Sequence, residues 1–359
     1  MRRRSGPLAA SAAGAAAALA AALTAAACTS GGSSTASATT RASAPSSAPP
    51  GAGSLQQEYV STIRQVLPSV VEIKTTSGLG SGVIYDTNGH IVTNAHVVGT
   101  ATTFQVYLSG SATTLSARLT GSYPPDDLAV IQVTGATHLT PARFADSSKL
   151  QVGDIVLAMG NPLGLASSVT DGIVSAVGRT VSEAQGAGSP GATLPDAIQT
   201  SAPINPGNSG GALVDLADQV VGIPTLAATD QQLGGAAAGI GFAIPSNIVT
   251  NIAGQIIKSG RVTNSHRAAL GVQAETVTGA SGEPAGVAIV TVTPDGAAAK
   301  AGLRAGDVIT AVNGTPTPDS QTLAAVLAGL QPGQQATVNV TRANGSTATV
   351  KVTLGELPA

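Results

Sequence analysis

A mainly β fold is predicted on three observations. The apolar runs are short, punctuated by many of the 44 glycines and mostly joined by hairpin turns, the pattern of antiparallel barrels. Hydrophobic residues make up 43% of the chain but aromatic ones only 2%, with no Trp, so its cores must be built from Val, Ile, Leu and Ala. The 359 residues leave room for two domains. A formal charge of −2 and the lack of a basic cluster past the amino terminus leave no electrostatic footprint for nucleic acid. His90, His96, His138, His266 and the single cysteine have no metal-ligand spacing, so neither a metal nor another cofactor is expected.

Met1-Arg2-Arg3-Arg4 and the Ala-rich run Leu8–Ala27 read as a signal sequence. Cys28 sits at the seam with Thr29–Ser54, a Ser/Thr/Ala/Gly/Pro-rich tether too poor in apolar residues to fold. The seam resembles a bacterial lipobox, with Ala25 where Leu is usual. Three readings of residues 1–28 stay open: lipidation of Cys28 after cleavage, an uncleaved anchor, or plain secretion. An anchor would span only marginally, because Leu8, Leu19 and Leu23 supply about −0.3 to −0.6 kcal/mol each. All three place the protein outside the cytoplasm, and the first two tether it to the outer face of the membrane.

Leu55–Leu67, ending at Pro68, forms a short amphipathic helix with Tyr59, Ile63 and Val66 on one side. Val83-Ile84-Tyr85 and Ile91-Val92, split by Asp86-Thr87-Asn88-Gly89, make a hairpin that delivers His96 at its end. Asp126 and Asp127 stand at the mouth of the apolar strand Leu128–Val133. In Asn205-Pro206-Gly207-Asn208-Ser209-Gly210-Gly211 a lone Ser lies between glycines, as an exposed nucleophile does. The backbone of Gly207, Asn208 and Ser209 is the candidate oxyanion hole, with the amides of Gly207 and Ser209 as donors. His, Asp, Ser is one of the chain orders of a catalytic triad. In that reading Ser209 attacks, His96 carries the proton, and Asp127 fixes the imidazole tautomer. The stretches 183–191 and 190–195 lack apolar periodicity and read as a mobile loop, and helix Ile248–Lys258 closes the module.

The segments GSGVIYDTNGHIVTNAHVV (80–98), DLAVIQV (127–133), GDIVLAMGNPLGL (153–165), INPGNSGGALVD (204–215) and GIGFAIPSN (239–247) resemble the HtrA/Deg family of serine proteases. The resemblance covers roughly residues 55–357. It implies a chymotrypsin-like double antiparallel β-barrel over 55–264 and an α+β PDZ domain over 265–359. It selects Asp127 over Asp126, which is left as a solvated turn residue. Pro203 falls at the floor of the specificity pocket, with Ile204, Ile240 and Phe242 as apolar walls, implying cleavage after small aliphatic residues. Tyr59 is either a contact of a homotrimer, or a multiple of one, or an ordinary packing residue.

In the carboxy-terminal module, Ala269-Leu270-Gly271-Val272 matches the family's carboxylate-binding loop. A strand over 286–292, a short helix over 296–301 and an Asn313-Gly314 turn follow. Asp319 caps a helix over 320–330, whose Leu323, Val326, Leu327 and Leu330 share a face split between core and peptide groove. The implied function is an extracytoplasmic, ATP-independent serine endopeptidase for unfolded or misfolded proteins, with PDZ recognition of hydrophobic carboxy termini. No GxxxxGK[ST] motif is present to drive unfolding. The alternatives are a PDZ scaffold or chaperone with little proteolysis, and a regulatory protease for one partner.

Overall fold

The computed structural model describes residues 52–75, 78–111, 114–135, 138–161, 168–183, 192–205, 207–230, 235–279 and 281–358. The leader, Cys28 and the tether up to residue 51 lie outside the described residues, as do residues 184–191 of the predicted loop. Helix α1 (Ala52–Val66) starts ahead of the predicted Leu55 and gives way to a 3-10 turn at Leu67–Ser69, where Pro68 cannot continue the ladder. Thr62 and Val66 are buried, and Tyr59 and Ile63 pack half-buried onto the barrel core. Tyr59 is thus a packing residue within this chain.

Six strands close the first barrel: β1 (Val70–Lys74), β2 (Leu79–Ile84), β3 (His90–Thr93), β4 (Thr103–Leu108), β5 (Thr114–Tyr123) and β6 (Leu128–Val133). Their order is β1-β2-β3-β6-β5-β4, closed by the β1–β4 pairing. The β2–β3 turn is held by Asp86, whose Oδ1 accepts the Asn88 and His90 amides at 2.9 and 3.1 Å. A four-residue helix, α2 (Ala95–Val98), follows β3.

The second sheet contains β7 (Arg143–Phe144), β8 (Ile155–Gly160), β9 (Ser168–Glu183), β10 (Ala192–Thr200), β11 (Ala212–Val214), β12 (Gln219–Asp230) and β13 (Gly235–Pro245). Pairing of β11 with β12 closes β11-β8-β9-β10-β13-β12 into a second barrel, and β7 adds to β12 in parallel. One expectation is corrected here. Residues 192–195 belong to β10, where Leu194 pairs with Val181 and is 1% exposed. No two-residue period marks this strand in the sequence, because its register shifts between Leu194 and Ala197, with Asp196 left-handed.

Helix α3 (Ser246–Ser259) seals the module, and its Val249, Ile252 and Ile256 join a core cluster drawn from both barrels. Each barrel also has its own core, around Ile73, Ile91 and Ile131 in the first and Val156, Ile198 and Leu213 in the second. Strands buried on two sides must be apolar throughout, which is why LAVIQV shows little alternation.

The carboxy-terminal module comprises β14 (Ala268–Ala269), β15 (Val272–Thr278), β16 (Pro284–Val292), α4 (Ala297–Ala301), β17 (Val308–Val312), β18 (Thr315–Pro316), α5 (Ser320–Ala328), β19 (Gln335–Thr341), β20 (Thr347–Thr353) and β21 (Gly355–Glu356). Its main sheet runs β15-β16-β17-β19-β20, and β14 pairs with β21 so that the module's ends meet. Asp319 caps α5 by accepting the Thr322 amide at 2.7 Å, a bond that holds its carboxyl below the usual range. The helix stops at Ala328, short of the predicted Leu330. Among the described residues no helix is long and apolar enough to cross a membrane.

Candidate active site

Asp127 follows a 3-10 turn, Pro124–Asp126, and adopts a left-handed backbone with φ 50° that Asp tolerates better than most residues. This bend buries the side chain, which is 2% exposed, and turns it toward the segment after β3. The Asp127 carbonyl accepts the Ala95 amide and Asn94 Nδ2, each at 3.0 Å. Its Oδ1 accepts the His96 amide at 2.9 Å, and its Oδ2 lies 2.8 Å from His96 Nδ1. A buried carboxylate on Nδ1 requires the ring proton there, which leaves Nε2 as the base nitrogen. The imidazole itself is 24% exposed.

Thr225 of β12 connects this pair to Ser209. Its Oγ1 donates to Asp127 Oδ2, and its carbonyl accepts Ser209 Oγ at 3.3 Å. In the sequence Thr225 is marked only as a hydroxyl in an apolar run. Gly210, at φ 79°, must be glycine, since a Cβ there would overlap the Ser81 carbonyl oxygen and Thr93 Oγ1. Of the three predicted oxyanion-hole residues, Asn208 does not offer its amide: that N–H bonds the Asn205 carbonyl at 3.0 Å. The amides of Gly207 and Ser209 donate to no acceptor among the described residues.

A family model for the trypsin-like peptidase domain matches residues 80–223, and one for the PDZ domain matches 268–354. The HtrA-type protease AlgW, solved with a decapeptide, superposes with a TM-score of 0.56 at 32% identity, over 84% of this chain and 99% of that one. The chain belongs to the HtrA/Deg family. Periplasmic serine endoprotease DegP of Escherichia coli K12 is 40% identical over 269 residues, 74% of this chain and 54% of DegP. Serine protease PepD of Mycobacterium tuberculosis is 38% identical over 320 residues, 85% of this chain and 66% of PepD. The chain spans about half the length of the DegP relatives it matches.

The four pocket residues expected for this HtrA/Deg chain lie in different surroundings. Ile204 is 6% exposed and packs with Ala243 and Ala202 in the core of the second barrel. A Cβ on Gly241 would overlap Ile204 Cγ1, so this face of β13 is glycine backbone lying against Ile204. Strand alternation turns the neighbouring Phe242 to the opposite face, where it joins the cluster between the barrels, and Ile240 is 37% exposed. Pro203 is exposed, with its carbonyl accepting Thr170 Oγ1 at 2.8 Å and Asn208 Nδ2 at 3.3 Å. Ile204 thus lies against Gly241, while Phe242 faces the cluster between the barrels.

In the PDZ module, the carbonyls of Leu270 and Gly271 are taken by the amides of Ala298 and Thr293 at 2.8 and 2.9 Å. The loop Ala269–Val272 is thereby tied back to α4 and to the end of β16, and it feeds β15, an edge strand of the sheet. Leu323 of α5 is buried, whereas Val326, Leu327 and Leu330 are half-buried against the same core.

Asp126 is the clearest correction. It is 1% exposed, and Arg267 Nη1, at the start of the PDZ module, lies 2.6 Å from its Oδ1 and 2.7 Å from the Pro125 carbonyl. The PDZ module covers the turn that read as solvated. Burial pushes the Asp126 carboxyl up to about 6, with the Arg267 guanidinium pulling the other way.

Proposed function

We propose that this chain is an extracytoplasmic serine endopeptidase acting without ATP on unfolded or misfolded proteins. The observation that carries the reading is the bonded series His96–Asp127–Thr225–Ser209 beside the two open amides of Gly207 and Ser209. Ser209 Oγ turns from the Thr225 carbonyl to His96 Nε2, gives up its proton and attacks the substrate carbonyl carbon. The amides of Gly207 and Ser209 hold the resulting oxyanion. His96 returns the proton to the leaving amine, and water then releases the acyl group from Ser209 by the same steps in reverse order. The periplasmic assignment of the DegP relatives supports action outside the cytoplasm, and the Cys28 seam supports a membrane tether. The resemblance to the HtrA/Deg family supports a homotrimer or a multiple of one, and the exposed Leu55 and Val60 of α1 offer apolar surface for self-association.

Edge strand β15, with the half-buried side of α5, is suited to take an extended peptide as an added strand, its terminal carboxylate at Ala269–Val272. Hydrophobic carboxy termini fit that apolar slot. Digestion of unfolded casein by the purified chain tests the function, beside Ser209→Ala, with and without a peptide ending in Val. Ser209→Ala lowers cleavage by about 10⁵- to 10⁶-fold, to background. Equal cutting by both proteins would reject the role of Ser209; no cutting by either, with the peptide bound, would favour a PDZ scaffold.

Ile204 lying against the glycine backbone at Gly241 supports a pocket for small aliphatic side chains. Ile204→Ala removes that contact. It raises the kcat/KM ratio of Leu over Val before the scissile bond by about 10-fold, read with matched fluorogenic peptides. An unchanged ratio would place the pocket elsewhere.

A further inference from the structure

Ser81 is wholly buried in β2, a polar residue in an apolar run between Gly80 and Gly82. Its bonds cross from the first barrel to the second. The amide donates to the Ser209 carbonyl at 3.0 Å, and the hydroxyl donates to the Gly207 carbonyl at 2.5 Å. The same hydroxyl accepts the Asn161 amide at 2.8 Å, and the Ser81 carbonyl accepts Thr93 Oγ1 at 2.7 Å. Thr93 ends the strand that leads to His96, so one residue ties together the segments carrying both reactive side chains.

We propose that Ser81 is a positioning residue for the oxyanion hole, holding the Gly207–Asn208 peptide in the orientation that leaves the Gly207 and Ser209 amides open. The inference rests on Ser209 being the nucleophile. A trans peptide is planar, so its carbonyl and its N–H point opposite ways. The Gly207 carbonyl is drawn to Ser81 Oγ, and the Asn208 N–H on the other side meets the Asn205 carbonyl. The peptide after Ser209 is held in the same way, its carbonyl on the Ser81 amide. The peptide between them is pinned by the bond from the Gly211 amide to the Asn208 carbonyl at 2.9 Å, which directs the Ser209 N–H away from Gly211. Ser81 thus fixes the planes on both sides of the Asn208–Ser209 peptide, which carries the Ser209 donor. Without its hydroxyl, the Gly207 carbonyl and the Asn161 amide each lose a buried partner, and the plane is free to turn.

Ser81→Ala in the full chain removes the hydroxyl and keeps the backbone bond. Its kcat on an aliphatic peptide falls about 10- to 100-fold, with KM within about twofold of the parent. A peptide boronate ending in boro-valine forms a tetrahedral adduct on Ser209 that uses the same donors, so its affinity weakens by the factor lost from kcat/KM. Ser81→Thr, which retains the hydroxyl, keeps kcat within about threefold if that hydroxyl is what matters. A lower melting temperature with parental kcat and boronate affinity would overturn the proposal, because a purely structural residue would behave in that way. Should Ser81→Ala not fold, Ser81→Cys decides: its thiol is a weak donor, so kcat and boronate affinity fall in parallel, and parental values overturn the inference. Failure of the parent chain to take up boronate, or parental activity in Ser209→Ala, would remove the nucleophile reading and this proposal with it. Parental activity lost in Ser209→Ala but unchanged in Ser81→Ala removes the Ser81 proposal alone.

Discussion

Asp127→Asn lowers peptide cleavage by about 10⁴-fold near pH 7 while the barrels remain folded. The size follows from where each carboxylate oxygen points. Oδ1 accepts the His96 backbone amide, which cannot change its polarity, so the asparagine must place its oxygen there. The NH₂ then occupies the position of Oδ2, against His96 Nδ1 and Thr225 Oγ1. A donor facing Nδ1 forces the ring proton to Nε2, the nitrogen that has to take the proton of Ser209. Thr225 loses its acceptor as well. Single-turnover hydrolysis between pH 6 and 9, with thermal melting as the control for folding, tests this. A loss under tenfold with an unchanged melting curve would mean that Asp127 does not set the tautomer of His96.

Arg267→Ala destabilises the protein by about 3–5 kcal/mol above pH 7, an effect seated in the PDZ module but felt beside the triad. The substitution strands the Asp126 carboxylate in a site where it is 2% exposed. The pH dependence has a definite sign. The folded-state carboxyl titrates at about 6 against 3.8 in the ordinary case, so the native protein holds this proton more tightly than the unfolded chain. Its contribution to stability is therefore greatest below about pH 4, declines as pH rises to about 6, and is level above that. Two pH units at about 1.4 kcal/mol each make the decline on the order of 3 kcal/mol. Urea unfolding of the parent and of Asp126→Asn from pH 4 to 8 isolates it, since the amide cannot titrate. A stability difference that is flat between pH 4 and 6 would show that Asp126 stays ionised throughout. In Arg267→Ala the carboxyl has lost the guanidinium that pulls it down, so it takes up its proton above pH 6 and the penalty shrinks as pH falls toward 6. Its kcat also falls, because Asp126 is joined to Asp127 through a single peptide.

Two neighbouring acids show how far one sequence can be read. Asp127 precedes Leu-Ala at the start of a strand, and the resemblance to the HtrA/Deg pattern distinguishes it. Asp126 looks like any turn acid, because the guanidinium that pairs with it lies at position 267, far along the chain and in another module. No window of sequence around residue 126 contains that information. The strand at 192–195 is hidden in the sequence for a related reason: a register shift destroys the periodicity by which strands are recognised, while the pairing of Leu194 with Val181 remains.

The pocket teaches the same lesson at finer scale. Ile204, Ile240 and Phe242 are apolar, and the family resemblance places them around the pocket. Which of them meet depends on the side of β13 each occupies, and a one-residue change of face separates Phe242 from Ile204. Thr225 and Ser81 carried only the faint signal of a hydroxyl in an apolar strand.

By itself the sequence determined the mainly β architecture, the hairpin that carries His96 and the glycine-flanked Ser209, because turns, periodicity and close backbone approach are written in adjacent residues. Tertiary structure alone decided that Thr225 bridges Asp127 and Ser209, that Ser81 spans the two barrels, that Asn208 turns its amide to Asn205, and that Arg267 buries Asp126. Each of those is a hydrogen bond whose partner is chosen by the packing of whole strands and modules, and its direction exists only once they have closed.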